Sequence, residues 1–103
     1  MLNYAFAKSF EKSLKSLHTQ EKVAMQRQVD SFMLAMDTRQ IPSGFGIKKL
    51  GGDLWEFRTD LTLRVLFKWT KSEIVFLFVG NHNEVSLFLK HYLYKDNLRS
   101  SAV

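Results

Sequence analysis

Between Lys48 and Glu84 the chain carries Glu56, Arg58, Arg64, Lys68 and His82, with Lys48 and Lys49 just ahead of them. Arg58, Arg64 and Lys68 sit inside strand-like apolar runs, where a long cation adds little packing and calls for water or an anion beside it. Strand alternation sends Leu54, Glu56 and Arg58 to one face and Trp55 and Phe57 to the other. In the next run Leu61, Leu63, Val65, Phe67 and Trp69 share a face, opposite Thr62, Arg64, Leu66 and Lys68. Helices need an apolar surface to pack on, so the Trp55/Phe57 and Leu63/Val65/Phe67 side is expected to lie against them. The other side is then a wet face carrying Glu56, Arg58, Arg64 and Lys68. Lys48 and Lys49 are expected to enter it from an adjoining loop, and His82 from the end of the third run.

These residue types suit metal-free cleavage of an RNA phosphodiester. That reaction needs a base for the 2′-hydroxyl proton, an acid for the departing 5′-oxygen, and cations for charge growing on the phosphorane oxygens. Arg64 fits the last role, because its planar fork matches phosphate. His82 suits acid or base work near neutral pH, Glu56 is a candidate base, and Lys48, Lys49, Arg58 and Lys68 are candidates to hold the RNA backbone. The same residues also fit a plainer picture, in which Glu56 and an arginine make a cross-strand ion pair worth under about 1 kcal/mol. His18, His82 and His91 have no paired spacing, which argues against a metal site, and no phosphate-binding glycine loop or nucleophile elbow is present.

The elements that position these residues follow from periodicity. Residues 2–6 can form a short strand. Phe6, Phe10, Leu14 and Leu17 recur at helical spacing from about Lys8, and Lys8, Glu11, Lys12 and Lys15 fall outside that stripe. Thr19 is a plausible N-cap for a second helix reaching about Thr38, with Met25, Val29, Phe32 and Met36 on its apolar face. The two helices read as a hairpin. The Pro- and Gly-containing stretch 41–46 separates them from strands at about 54–59, 61–69 and 73–80, whose short connections imply antiparallel pairing. The third of these strands is apolar on both faces and is expected to be central or well covered. A last helix is expected from about Asn83, capped by Asn81 or Asn83, with Val85, Phe88, Leu89 and Tyr92 inward. A flexible tail is expected over 96–103, leaving one domain over 1–95.

The net charge of +5 favours an anionic partner such as nucleic acid, an acidic protein or an anionic membrane surface. The absence of Cys excludes disulfides, a thiolate nucleophile and zinc–thiolate sites, and fits a reducing compartment. The first residues lack the pattern of a signal peptide, and the longest apolar run, Ile74 to Val79, is too short to span a bilayer.

In order and residue type, about residues 4–92 resemble the RelE/ParE superfamily of toxins from bacterial type II toxin–antitoxin systems. The resemblance is carried by the opening 7–17, by Lys48-Lys49-Leu50 followed by Leu54-Trp55-Glu56-Phe57-Arg58, by Leu63-Arg64-Val65-Leu66-Phe67, and by Val79-Gly80-Asn81-His82-Asn83-Glu84. It implies an α/β (α+β) fold: an N-terminal helical hairpin packed on a curved, mainly antiparallel sheet of about four strands, with a C-terminal helix. It implies a cytoplasmic, cofactor-free endoribonuclease that cuts mRNA in the ribosomal A site. The implied partners are an acidic antitoxin and, only through it, operator DNA, with no membrane. Arg64 then matches the family's phosphate-stabilising arginine, and His82 a position held by His or Arg. Lys48 and Lys49 match basic residues before the sheet, and Glu56 a region where some members carry a carboxylate base. Some members have a functional Tyr early in the last helix, where this chain has Leu87 and Phe88; Tyr92 and Tyr94 lie later. The superfamily also contains gyrase inhibitors, and relatives that only bind an antitoxin form a third alternative.

Overall fold

The computed structural model describes residues 2–40, 45–59 and 62–101, with side chains as far as Tyr94. The elements are β1 (Asn3–Phe6), α1 (Lys8–Lys15), α2 (Thr19–Thr38), β2 (Lys48–Gly51), β3 (Leu54–Arg58), β4 (Arg64–Trp69), β5 (Glu73–Gly80) and α3 (His82–Ser101). The strands form one sheet in the order β1-β5-β4-β3-β2. β2 to β5 pair antiparallel through short turns, and β1 pairs parallel with β5.

Among the described residues there are therefore five strands, not about four. The additional one is β2, which puts Lys48 and Lys49 on an edge strand instead of in a loop. Their charge hid the strand from periodicity, and charge on an edge strand also deters edge-to-edge association. The expected loop at 41–46 falls mostly on residues outside those described, as does Leu61.

On one face of the sheet α1 and α2 enclose an aromatic core. The Phe32 ring stacks on Phe57 at 4.5 Å and lies 5.0 Å from Phe67 and 6.1 Å from Phe76. The Met25, Val29, Phe32 and Met36 stripe faces this core as its spacing predicts. α2 is capped from His18 and not from Thr19, and the Glu21 side chain accepts the His18 backbone N–H at 3.1 Å. Tyr4 ties β1 to α2 by donating to the Met33 carbonyl and to Asp37. Burial, then the Asp37 carboxylate, pushes its phenol up to about 12.

α1 packs mainly on β5 rather than against α2. The β1–β5 ladder ends at Phe6 and Phe76, and α1 side chains then serve the exposed edge of β5. The Ser9 hydroxyl donates to the Leu77 carbonyl at 2.6 Å, and the Val79 N–H donates to the buried Ser13 hydroxyl at 3.0 Å. Two serines thus replace a missing strand for two backbone groups.

The opposite face is not wholly wet. α3 covers its middle, and Val85 joins Leu54, Leu66 and Leu77 in a second core bordered by Phe78, Phe88, Leu89 and Tyr92. A register shift lets this face receive both Leu77 and Phe78: Leu66 pairs with Phe78 but Phe67 with Phe76, leaving Leu77 as the extra residue. α3 begins at His82 and continues to Ser101, beyond the end near Lys95 that its apolar stripe suggests.

Candidate active site

Where α3 leaves the sheet, an open cleft of about 590 Å³ is lined by Arg58, Thr59, Thr62, Leu63, Arg64, Asn81, His82 and Asn83. Three elements meet there. β3 ends at Arg58, β4 begins at Arg64, and β5 passes through Gly80 into α3. Arg58 pairs directly across from Arg64, and Arg64 directly across from Gly80. The loop joining β3 to β4 is closed at its base by the Thr59 N–H and hydroxyl, both donating to the Leu63 carbonyl at 3.1 and 3.2 Å.

The entry into α3 is tightly made. The Asn81 side chain accepts the Glu84 N–H at 2.8 Å, while the Glu84 carboxylate accepts the Asn81 N–H at 2.9 Å. This reciprocal capping box makes His82 the first residue of the helix. Gly80 has no room for a side chain. A Cβ there would lie 2.9 Å from the Phe78 ring and 3.0 Å from the Glu84 Cβ. On the other side Gly46, at φ +54°, borders the Arg58 stem, where an added Cβ would lie 3.8 Å from the Arg58 Cβ.

The electrostatics are uneven. Like charges facing each other across a strand pair are destabilising, yet Arg58 and Arg64 do so. Arg64 donates from Nη1 to Glu56 Oε2 at 2.8 Å. Arg58 is exposed and, among the described residues, has no acidic partner. The result is a cationic corner: one guanidinium held from behind, one open to water, and an imidazole at the helix start. Among the lining residues, His82 brings an imidazole, whose ring nitrogens can donate or accept a hydrogen bond.

The sequence-derived candidates separate into groups. Arg58, Arg64 and His82 come together at the cleft. Glu56 lies behind Arg64, 5% exposed, on a strand rung between Lys48 and Leu66. Lys48 is its cross-strand neighbour, while Lys49 takes the other face and sits 5.8 Å over the Trp55 ring. Lys68 shares the Arg64 face but pairs with Leu54 and Val75. Four residues along a strand place it about 13 Å from Arg64. Asn83, Thr62 and Thr59 were not singled out as cleft residues by sequence; only their adjacency to the β3–β4 turn and the capping box would have pointed to them. The Leu87 and Phe88 positions split: Leu87 is 60% exposed, whereas Phe88 stacks on Phe78 at 4.6 Å and serves the second core. Among the described residues there is no cluster of His, Cys, Asp and Glu able to hold a metal ion, and no helix long and apolar enough to cross a membrane.

No family model and no curated protein matches the sequence. Solved structures do match the fold. YafQ from E. coli strain BL21(DE3) superposes with a TM-score of 0.65 at 12% identity, over 82% of this chain and 98% of that one. A chain of the E. coli DinJ–YafQ toxin–antitoxin complex gives 0.65 at 15% identity, over 81% and 94%. A chain of the RelB–RelE antitoxin–toxin complex from Methanococcus jannaschii gives 0.62 at 17% identity, over 82% and 96%. Over about four fifths of its length, this chain therefore shares its fold with the solved YafQ and RelB–RelE toxin–antitoxin structures.

Proposed function

We propose that the protein is the toxin of a toxin–antitoxin pair and acts as a ribosome-dependent mRNA endonuclease. The observation that carries this reading is the convergence of Arg58, Arg64 and His82 on one open cleft, with the two arginines on directly paired positions of β3 and β4. Two cations on paired strand positions repel, and an anion bound beside them offsets that repulsion. The likeness to chains from toxin–antitoxin complexes supports the same reading.

In this mechanism an RNA phosphate sits between Arg58 and Arg64. The neighbouring 2′-oxygen attacks phosphorus as its proton is removed, and negative charge builds on the equatorial oxygens. The Arg64 fork donates to those oxygens. The bond to the 5′-oxygen then breaks as that oxygen gains a proton, leaving a 2′,3′-cyclic phosphate and a 5′-hydroxyl. His82 performs one of the two proton transfers. No metal or cofactor takes part, and the ribosome presents the mRNA strand. An acidic antitoxin neutralises the protein, and operator DNA is reached only through that antitoxin. The protein acts in the cytoplasm as a single domain over residues 1–95.

The test is brief induction in a host lacking the antitoxin, followed by primer extension on several mRNAs. The wild type should arrest growth and produce discrete cuts. Arg64→Ala and His82→Ala should keep the wild-type circular dichroism spectrum and lose at least about 10²-fold in cleavage. Full toxicity in both variants overturns the mechanism. A DNA-damage response with intact mRNA would make the protein a gyrase inhibitor, and growth without arrest would make it an antitoxin-binding relative.

A further inference from the structure

We propose that Glu56 is a positioning residue for Arg64 and does not act as the general base; this deepens, and rests on, the reading of the cleft as an RNA-cleaving site. A general base must come within about 2.6–3.2 Å of the proton it removes, or reach it through one water. The Glu56 side chain is 7% exposed, and it is not among the residues that line the cleft. Its cross-strand neighbour on β4 is Leu66, fully buried in the core under α3. Arg64 bonds to its Oε2, which takes one acceptor site of the carboxylate and holds the group turned toward the guanidinium.

The placement has a positive use. Arg64 and Arg58 face each other across β3 and β4 and repel. A carboxylate behind Arg64 offsets that repulsion and fixes the plane of its fork. Arginine carries five N–H donors. The bond from Nη1 anchors the group, and the remaining donors are available to a phosphate in the cleft. Arg58 has no such anchor among the described residues, and it follows the phosphate instead of defining its place. Fixing one donor set in advance matters because a displacement of about 1 Å can cost about 10²-fold in rate.

The experiment compares wild type, Glu56→Gln and Glu56→Ala in a purified ribosome cleavage assay, together with NMR of the Arg64 guanidinium. Gln keeps an acceptor oxygen and should retain activity within about 10-fold, whereas Ala should lower kcat by about 10²-fold with a much smaller change in KM. The acid limb of the pH–rate profile should be the same in all three proteins. Equal losses in Gln and Ala, with that limb gone, would identify a base and overturn the proposal, as would wild-type kcat in Glu56→Ala. The NMR arm needs no RNA: rotation about the Arg64 guanidinium should be hindered in the wild type and fast in Glu56→Ala. Fast rotation in the wild type overturns the proposal even if RNA is cut. Hindered rotation in a wild type that leaves mRNA whole supports the positioning role and defeats the nuclease reading.

Discussion

At the scale of single residues, alternation is what made the site readable. Period-two spacing is enough to put Glu56, Arg58, Arg64 and Lys68 on one face, and that is where they lie. It says nothing about depth. Glu56 and Arg58 are two residues apart, yet one is 5% exposed and the other open to water, because α3 and the neighbouring strands shade the middle of the face and leave its end free. Lys48 and Lys49 are both expected on the wet face, but as β2 residues they point opposite ways, and only Lys48 shares the face of Glu56 while Lys49 lies over Trp55. Arg58 yields the prediction that belongs here. Among the described residues it has no anionic partner, so its expected role is to bind phosphate and not to hold the protein together. Arg58→Ala should leave the thermal midpoint unchanged or slightly raised, because a like-charge pair is removed. It should weaken binding of a non-cleavable, 2′-deoxy-substituted RNA oligonucleotide, and lower the slope of log affinity against log salt by about 0.7, the share of one phosphate contact on a single strand. Fluorescence anisotropy over a salt series measures both, and an unchanged slope would remove Arg58 from the RNA contact.

At the scale of elements, the helices and the three long strands were readable from periodicity, but the order in which they stack was not. β5 is apolar on both faces, and the structure gives the reason: α1 and α2 lie on one side and α3 on the other. The bulge at Leu77 is invisible in sequence, because a strand that is apolar throughout has no alternation to break. The start of α3, by contrast, has a local signature in Asn81 and Glu84, three residues apart. Gly80 links that capping box to the sheet. Its missing side chain lets β5 turn into α3 so closely that the Phe78 ring and Glu84 fill the space. Phe78 cannot simply swing aside, since its ring stacks on Phe88. Gly80→Ala should therefore destabilise the protein by about 1–3 kcal/mol, as overpacking does, and should displace the His82 backbone. Urea unfolding together with the cleavage assay checks this. Wild-type stability and activity in Gly80→Ala would show that the junction yields and that the close approach does not position His82.

At the scale of the whole molecule, one sheet serves two cores. The helical-layer core holds Phe32, Phe57, Phe67 and Phe76, and the α3 core holds Leu54, Leu66, Leu77 and Val85. Adjacent residues on β4 point into different cores, with Leu66 into one and Phe67 into the other, and both are fully buried. Such a strand cannot leave one core while staying in the other, so the two should melt as one cooperative unit. Both tryptophans, Trp55 and Trp69, pack against the first core, with their rings 5.1 Å apart. Their fluorescence therefore reports on the face away from α3. Leu66→Ala opens a cavity only under α3 and should cost about 2–5 kcal/mol. For a domain of this size that is a fall in melting temperature of roughly 10 °C or more. If the sheet couples the cores, the tryptophan transition must fall by the same amount as the helical signal in far-ultraviolet circular dichroism. If the tryptophan midpoint stays at its wild-type value while the helical signal moves, α3 is a separately melting layer. The cleft, built from β3, β4 and the first turn of α3, would then be assembled only while that layer is docked.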